Sequence, residues 1–142
     1  MSALYRAYIR DEVLGPIGVP VDEAAPAAEA PPVDLEPPGG EMLLVSLGDE
    51  PVAIGGVRDL DTPVAEVKSM YVAPAGRRRG IARRLLARLE AIAAERGCRA
   101  VRLDTAAHLT GAIALYRAVG YREISAYNSG PVADLWFERP LS

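Results

Sequence analysis

The spacing of apolar residues changes along the chain, and each spacing predicts a different element. Residues 42–47 are mostly apolar, Gly48 and Asp49 supply a turn, and residues 51–57 are largely apolar again. This pattern predicts a β-hairpin. A third strand is expected over residues 64–72, after a turn at Asp61-Thr62-Pro63. Three antiparallel strands in succession follow from this reading.

Beyond the third strand the apolar spacing becomes helical. Ile81, Leu85, Leu89 and Ile92 recur at intervals of three and four, which predicts a long amphipathic helix over residues 80–96 that ends at Gly97. Alternation predicts a strand over residues 100–105. The remaining elements are predicted as a helix over 111–119 and strands over 121–127 and 133–138.

The first 40 residues have a different composition from the rest. They hold seven of the 12 prolines and carry a net charge of −5. We expect a helix over residues 3–14, then a loop with one short helix near 21–30. The whole order predicts an α/β (α+β) fold, with a mixed, mostly antiparallel sheet flanked by helices. The 142 residues suit a single domain, with 1–40 as a proline-rich acidic segment and 41–142 as the core.

Composition removes several classes of protein. The single Cys98 and single His108 exclude an intrachain disulfide, a cysteine cluster and the two-histidine metal motifs. No apolar run approaches the roughly 20 residues that span a bilayer, and the first ten residues lack a secretory pattern. We therefore expect a cytoplasmic protein without a membrane partner.

Positive charge is concentrated at the long helix. Residues 73–102 contain nine arginines against Glu90 and Glu95, although the whole chain has a net charge of −3. One arginine patch on an acidic protein indicates a site for a discrete polyanion rather than a nucleic-acid surface.

The loop before the long helix carries the most specific signal. Arg77, Arg78 and Arg79 precede Gly80 and Ala82. The free N–H groups of a helix start bind anions, glycine lets phosphate approach them, and arginine adds bidentate donors. The Walker and Rossmann patterns are incomplete, and no carboxylate adjoins the loop to hold a metal ion. A pyrophosphate bound without metal fits best; the alternative is a solvated helix start with Gly80 as a cap.

Two segments together resemble a known family. Arg77, Gly80 and Ala82 match the Gln/Arg-x-x-Gly-x-Gly/Ala motif of the GCN5-related N-acetyltransferase (GNAT) superfamily. Val72, Ala73 and Pro74 resemble the strand end before that motif. Residues 112–116 (Ala-Ile-Ala-Leu-Tyr) with Gly120 and Tyr121 resemble its second signature. The resemblance covers about residues 41–140, but Leu109 stands where the family often carries Asn, and the usual first strand is expected to be missing.

The resemblance implies acetyl-CoA as cofactor and direct acetyl transfer to an amine. It implies cofactor binding by Met70, Tyr71 and Val72, whose strand would pair with pantetheine and bulge to free an N–H for the thioester carbonyl, and by the loop residues Arg77, Arg78, Arg79, Gly80, Ile81 and Ala82. Tyr116 occupies the position of the general acid. Glu66 is our candidate base, acting through water. The alternatives are a core-packing Tyr116 and a solvent-facing Glu66 paired with Lys68.

Several other residues keep two interpretations. Cys98 is expected to be a buried structural thiol, and His108 an exposed loop residue that could touch a ligand. Tyr127, Asn128 and Trp136 are candidates for the acceptor side, with packing the simpler role for Trp136.

The function also has alternatives. The expected partners are acetyl-CoA and a primary amine of a small molecule or amino acid. The alternatives are a catalytically weak acyl-CoA-binding module and an acetyltransferase for protein N termini or lysines. Exposed strand edges allow a homodimer. The acceptor is beyond the reach of the sequence, because fold and cofactor do not determine it.

Overall fold

The computed structural model describes residues 39–60, 63–130 and 133–141. Its elements, in chain order, are β1 (Gly40–Leu47), β2 (Glu50–Asp59), β3 (Val64–Val72), a short 3₁₀ turn (Pro74–Gly76), α1 (Ile81–Glu95), β4 (Ala100–Thr105), α2 (Thr110–Ala118), β5 (Arg122–Ile124) and β6 (Leu135–Pro140). The helices predicted over 3–14 and 21–30, and the place of a first strand, lie outside the described residues. No helix within the described ranges is long and apolar enough to cross a membrane.

One mixed sheet organises the described residues. Its strand order is β1-β2-β3-β4-β6-β5, and β3 and β4 are parallel while all other neighbours are antiparallel. The predicted mixed, mostly antiparallel sheet is confirmed. Apart from the last hairpin, the described elements also fall where the apolar spacing places them, because that spacing reports which side chains the packed face buries.

The last hairpin differs most from its prediction. The strand predicted over 121–127 ends at Ile124, and the last strand begins at Leu135 rather than at residue 133. Asn128 accounts for this, because its Oδ1 accepts hydrogen bonds from the Gly130 amide at 3.2 Å and from Trp136 Nε1 at 2.9 Å. A side chain that bonds the backbone two residues on favours a turn over a strand.

Two irregularities open the sheet near its centre. The β3–β4 pairing ends at Glu66 and Arg102, so the two strands part toward their carboxyl ends. The β2–β3 register shifts by one residue between Ile54 and Gly56, opposite Ser69, whose φ is +57°. This shift is a β-bulge in β3. We call the space between the parting strands the wedge.

The two faces of the sheet have different chemistry. The helices α1 and α2 pack on one face, where apolar side chains form a core that includes Val57, Val67, Leu85, Leu86, Leu89, Val101, Leu103, Tyr116 and Phe137. The alternate side chains of the strands point to the opposite face. There the paired positions give a row of alternating charge across five strands, formed by Arg58, Glu66, Arg102, Glu138 and Arg122.

Candidate active site

A cleft of about 550 Å³ lies between the end of β3, the start of α1 and the start of α2. Its lining comprises Met70, Tyr71, Val72, Gly76, Arg77, Arg78, Gly80, Ile81, Ala82, Arg83, His108, Leu109, Thr110, Gly111, Ala112, Leu115 and Tyr116. Eight of the nine residues expected to bind the cofactor therefore line one cleft. Arg79 is the exception, and its side chain is exposed outside this lining.

The start of α1 gives the cleft its donors. Gly80 is the N-cap, with φ +73°, and no side chain caps the helix. The first intrahelical bond runs from the Arg84 amide to the Gly80 carbonyl at 3.2 Å. The amides of Ile81, Ala82 and Arg83 are thus without an intrahelical acceptor, as in any first turn. A Cβ at Gly80 would meet no atom within 4 Å, so the space above the turn is open.

The arginines of the loop do not all have the same role. The Nε of Arg77 donates to the Val72 carbonyl at 3.0 Å, and its guanidinium lies 6.0 Å from the Tyr71 ring centre. Arg77 therefore fastens the loop to the end of β3. Arg78 and Arg83 supply further positive charge to the lining. The described lining contains no Asp or Glu, so its field favours an anion.

The bulge in β3 lies beside the cleft. Met70, Tyr71 and Val72 follow it and line the cleft. Opposite it, a Cβ at Gly55 would lie 3.0 Å from Met70 Cγ and 3.0 Å from Leu89 Cδ1. Glycine at this position lets the middle of α1 approach the bulged strand closely. The expected bulge is confirmed, whereas its role toward a thioester stays a prediction.

Tyr116 both packs in the core and lines the cleft, so it combines features of the two interpretations that the sequence left open. It lies on α2, is 6% exposed, and its ring centre is 5.8 Å from Tyr121 and 6.1 Å from Phe137. It also lines the cleft. Packing therefore fixes the ring of a residue that the cleft can reach, which is a requirement for a positioned acid.

The sequence did not single out the first turn of α2 as part of the cleft. Thr110 and Gly111 line it together with His108 and Leu109, and Leu109 is the N-cap without a side-chain cap bond. Two helix starts therefore face the same cleft. A proline-free segment of small residues after a strand was the available signal, but such a segment is common in loops.

The surroundings of Glu66 exclude one of the two interpretations given for it. Its side chain is 0% exposed. Oε1 accepts from Arg58 Nε at 2.8 Å and Nη2 at 2.7 Å, and Oε2 accepts from the Tyr127 hydroxyl at 2.6 Å. The solvent-facing pair with Lys68 is wrong, since Lys68 Nζ lies 3.6 Å from Asp104 Oδ2. The row of alternating charge explains this, because arginines from both neighbouring strands flank the Glu66 position.

The β5–β6 connection is held over the wedge by polar contacts. Tyr127 is half-buried, and Arg102 lies 5.5 Å from its ring centre. Asn128 Nδ2 donates to Asp104 Oδ2 at 2.8 Å. Burial and the Glu66 carboxylate raise the pKa of Tyr127 well above its usual range, so its hydroxyl stays protonated. The expected acceptor-side residues Tyr127, Asn128 and Trp136 do lie together.

A second buried tyrosine forms a similar network in the core. The Tyr121 hydroxyl donates to Glu90 Oε2 at 2.8 Å, and Arg139 Nη1 donates to Glu90 Oε1 at 2.8 Å. Burial and Glu90 raise the pKa of Tyr121 as well. Cys98 is half-buried against the core, and burial raises the pKa of its thiol, which fits the expected structural role.

Comparison with known proteins agrees with this architecture. The profile of the Acetyltransferase (GNAT) family matches residues 3–121. An IAA acetyltransferase from Azospirillum brasilense is 33% identical over 111 residues, which cover 75% of this chain and 72% of that protein. Two further curated relatives are matched over only 24% and 54% of their own length.

Solved structures share the fold. An acetyltransferase of the GNAT family from Staphylococcus aureus superposes with a TM-score of 0.78 at 20% identity, covering 97% of this chain and 89% of that one. A GNAT family acetyltransferase from Elizabethkingia anophelis with acetyl-CoA bound superposes with a TM-score of 0.65 at 18% identity, covering 87% and 93%.

Proposed function

Because this chain belongs to the Acetyltransferase (GNAT) family, we propose that it moves an acetyl group to a primary amine of a small molecule or amino acid. The family makes the chain an acetyl-CoA-dependent N-acyltransferase, with acetyl-CoA as its cofactor. The acceptor class is our proposal. The chain covers 72% of the IAA acetyltransferase, a relative whose name gives acetyl transfer as its activity.

The residues of the cleft fit acetyl-CoA. The observation that carries the proposal is the uncapped start of α1, with Gly80 at φ +73° and open space above it, in a lining without acidic residues. The amides of residues 78–82 would hold the pyrophosphate, with Arg78 of the cleft lining as a cationic donor. Met70, Tyr71 and Val72 would hold the pantetheine arm along β3.

Acetyl-CoA supplies the acetyl group as an activated thioester. The chain itself contributes position and proton transfer. Tyr116, fixed by Tyr121 and Phe137, would give a proton to the departing thiolate. Glu66 would take the proton that the amine must lose, since an alkylamine with a pKa of about 10 is mostly protonated at neutral pH.

The proposal is tested by turnover on a panel of amines. Free thiol release from acetyl-CoA is followed with amino acids, polyamines, aromatic amines and peptides as acceptors. We expect release with a small amine, and a Tyr116→Phe variant is expected to lose about tenfold or more in kcat. Its stabilisation by acetyl-CoA should match that of the wild type, because the ring remains in place.

Tyr121→Phe is the matched control. It removes the phenol hydroxyl that donates to Glu90 and leaves the ring in place beside Tyr116. We expect it to lower the unfolding midpoint and to keep kcat within about threefold. Release with peptides alone would favour a protein acceptor. Stabilisation by acetyl-CoA without release on any amine would favour an acyl-CoA-binding module and contradict the proposal.

A further inference from the structure

Glu66 has no open oxygen to offer an acceptor. The carboxylate is 0% exposed, Oε1 is engaged by two nitrogens of Arg58, and Oε2 is engaged by the Tyr127 hydroxyl. An amine could reach neither oxygen without displacing one of these partners. A base in this setting must receive its proton through a group that already contacts it.

The two partners of Glu66, Arg58 and Tyr127, differ in their ability to transfer a proton to it. The guanidinium of Arg58 has only donors and stays charged, so it cannot accept a proton. A phenol hydroxyl donates through its hydrogen and accepts through its oxygen. Tyr127 is also only half-buried, whereas Glu66 is fully enclosed. Of the two partners, Tyr127 alone can connect Glu66 with an approaching nitrogen.

Tyr127 sits where the sheet opens. Its hydroxyl bonds the last β3 residue that pairs with β4, at the apex of the wedge. The charge of Asp104, two residues beyond Arg102 in the parting stretch of β4, also acts on this phenol. The wedge opens toward the end of β3, where Met70, Tyr71 and Val72 line the cleft. The half-buried phenol thus contacts the enclosed carboxylate at the point from which β3 and β4 part.

The phenol is also held firmly. The Arg102 guanidinium lies 5.5 Å from its ring centre, and Arg102 is itself fixed by Glu138 Oε1 at 2.7 Å. The adjacent Asn128 ties the same connection to Asp104 and to Trp136. A hydroxyl fixed in this way keeps its orientation toward Glu66 without rearrangement, which is what efficient proton transfer needs.

From this arrangement we infer that Tyr127 is a catalytic residue that relays the proton of the acceptor amine to Glu66. The inference rests on the proposed amine transfer. As the acceptor nitrogen loses its proton, the N–H bond breaks and a bond forms to Tyr127 Oη. The original O–H bond of Tyr127 breaks in the same event, and its proton bonds to Glu66 Oε2. Tyr127 ends neutral, and Glu66 carries the proton.

The test compares Tyr127→Phe with Tyr121→Phe, because each removes a hydroxyl that donates to a buried carboxylate also held by an arginine. Tyr127→Phe is expected to lower kcat about tenfold or more, with an unchanged KM for acetyl-CoA. Tyr121→Phe is expected to lower the unfolding midpoint with little change in kcat. A loss in Tyr127→Phe that equals the loss in Tyr121→Phe would mean a structural role only.

Combining Tyr127→Phe with Glu66→Gln tests whether the two groups act as one unit. A relay predicts that the double variant loses about as much in kcat as either single variant. Unfolding of the ligand-free proteins supplies a second readout, in which the same pair should be non-additive because the hydrogen bond joins them. Independent, multiplying losses in kcat would overturn the relay.

The failure of each proposal has its own signature. Normal wild-type turnover with an unchanged or raised kcat in Tyr127→Phe overturns the relay alone, and a raised kcat would identify the phenol as an obstruction to Glu66. Absence of wild-type turnover on every amine overturns the proposed transfer and the relay with it.

Discussion

At residue scale, the start of α1 depends on two left-handed backbone positions in close succession. Arg78 has φ +63° and Gly80 has φ +73°. An L-residue in this region costs about 1 kcal/mol, whereas glycine has no such penalty. The strained arginine persists because its neighbours fix the loop, including the bond from Arg77 to the Val72 carbonyl. The turn is therefore shaped for the amides that follow it.

Replacing Gly80 with alanine should separate strain from binding. Gly80→Ala adds a methyl group at a left-handed position, and we expect a loss of about 1 kcal/mol in unfolding free energy together with weaker stabilisation by acetyl-CoA. Gly97→Ala is the control, because Gly97 has φ +87° and also has open space around it, at the other end of α1. It should lose similar stability and keep the acetyl-CoA response, as measured by urea unfolding and thermal shift. Equal responses to acetyl-CoA in both variants would exclude a special role for the Gly80 turn.

At element scale, α1 is joined to the sheet at both ends. Its start adjoins β3, and at its end Arg96 contacts Asp59 of β2 at 2.6 Å and 3.0 Å. The hydrogen bond from Arg96 lowers the pKa of Asp59 below 3.8. Both side chains are partly exposed, so the pair contributes at most about 1 kcal/mol.

The stability supplied by this pair should depend on pH in one direction. The pKa of Asp59 is lower in the folded state, so its contribution is present above pH 3.8 and is lost as the pH falls through the lowered value. Asp59→Asn should therefore be less stable than the wild type at pH 7 by up to about 1 kcal/mol, and the difference should be smaller at pH 3. Urea unfolding at both pH values measures it. A difference that persists undiminished in acid would assign the effect to packing rather than charge.

At the scale of the whole molecule, the two faces of the sheet carry different groups of residues. One face packs both helices and builds the cleft from the starts of α1 and α2, while the other carries the row of alternating charge and Glu66. The wedge and the bulge interrupt the regular strand pairing between these two faces. Binding in the cleft should therefore stabilise β3, α1 and α2 together.

Acetyl-CoA should raise the melting temperature of the whole domain. At a hundredfold excess over Kd, binding adds about 2.7 kcal/mol to the unfolding free energy, or about 8 °C at about 3 °C per kcal/mol. Arg78→Ala should reduce this shift more than Arg79→Ala, because Arg78 lines the cleft and Arg79 does not. Equal reductions would show that the two arginines act through general charge, and no shift at millimolar acetyl-CoA would contradict the cleft assignment.

The sequence by itself determined most of the described elements, their order along the chain and the loop at residues 77–82. These features are local, because apolar spacing reports the buried face of each element and a helix start exposes its amides wherever it occurs. The motif at residues 112–116 also singled out Tyr116, which the structure places in the cleft lining.

Only the tertiary structure decided the surroundings of Glu66. The Tyr127 hydroxyl that closes its second oxygen comes from 61 positions away, and the arginines that flank it come from neighbouring strands. Strand order and register determine such contacts, and no local pattern records them. For the same reason Lys68, two residues along β3, pairs with Asp104 across the wedge and leaves Glu66 to Arg58 and Tyr127.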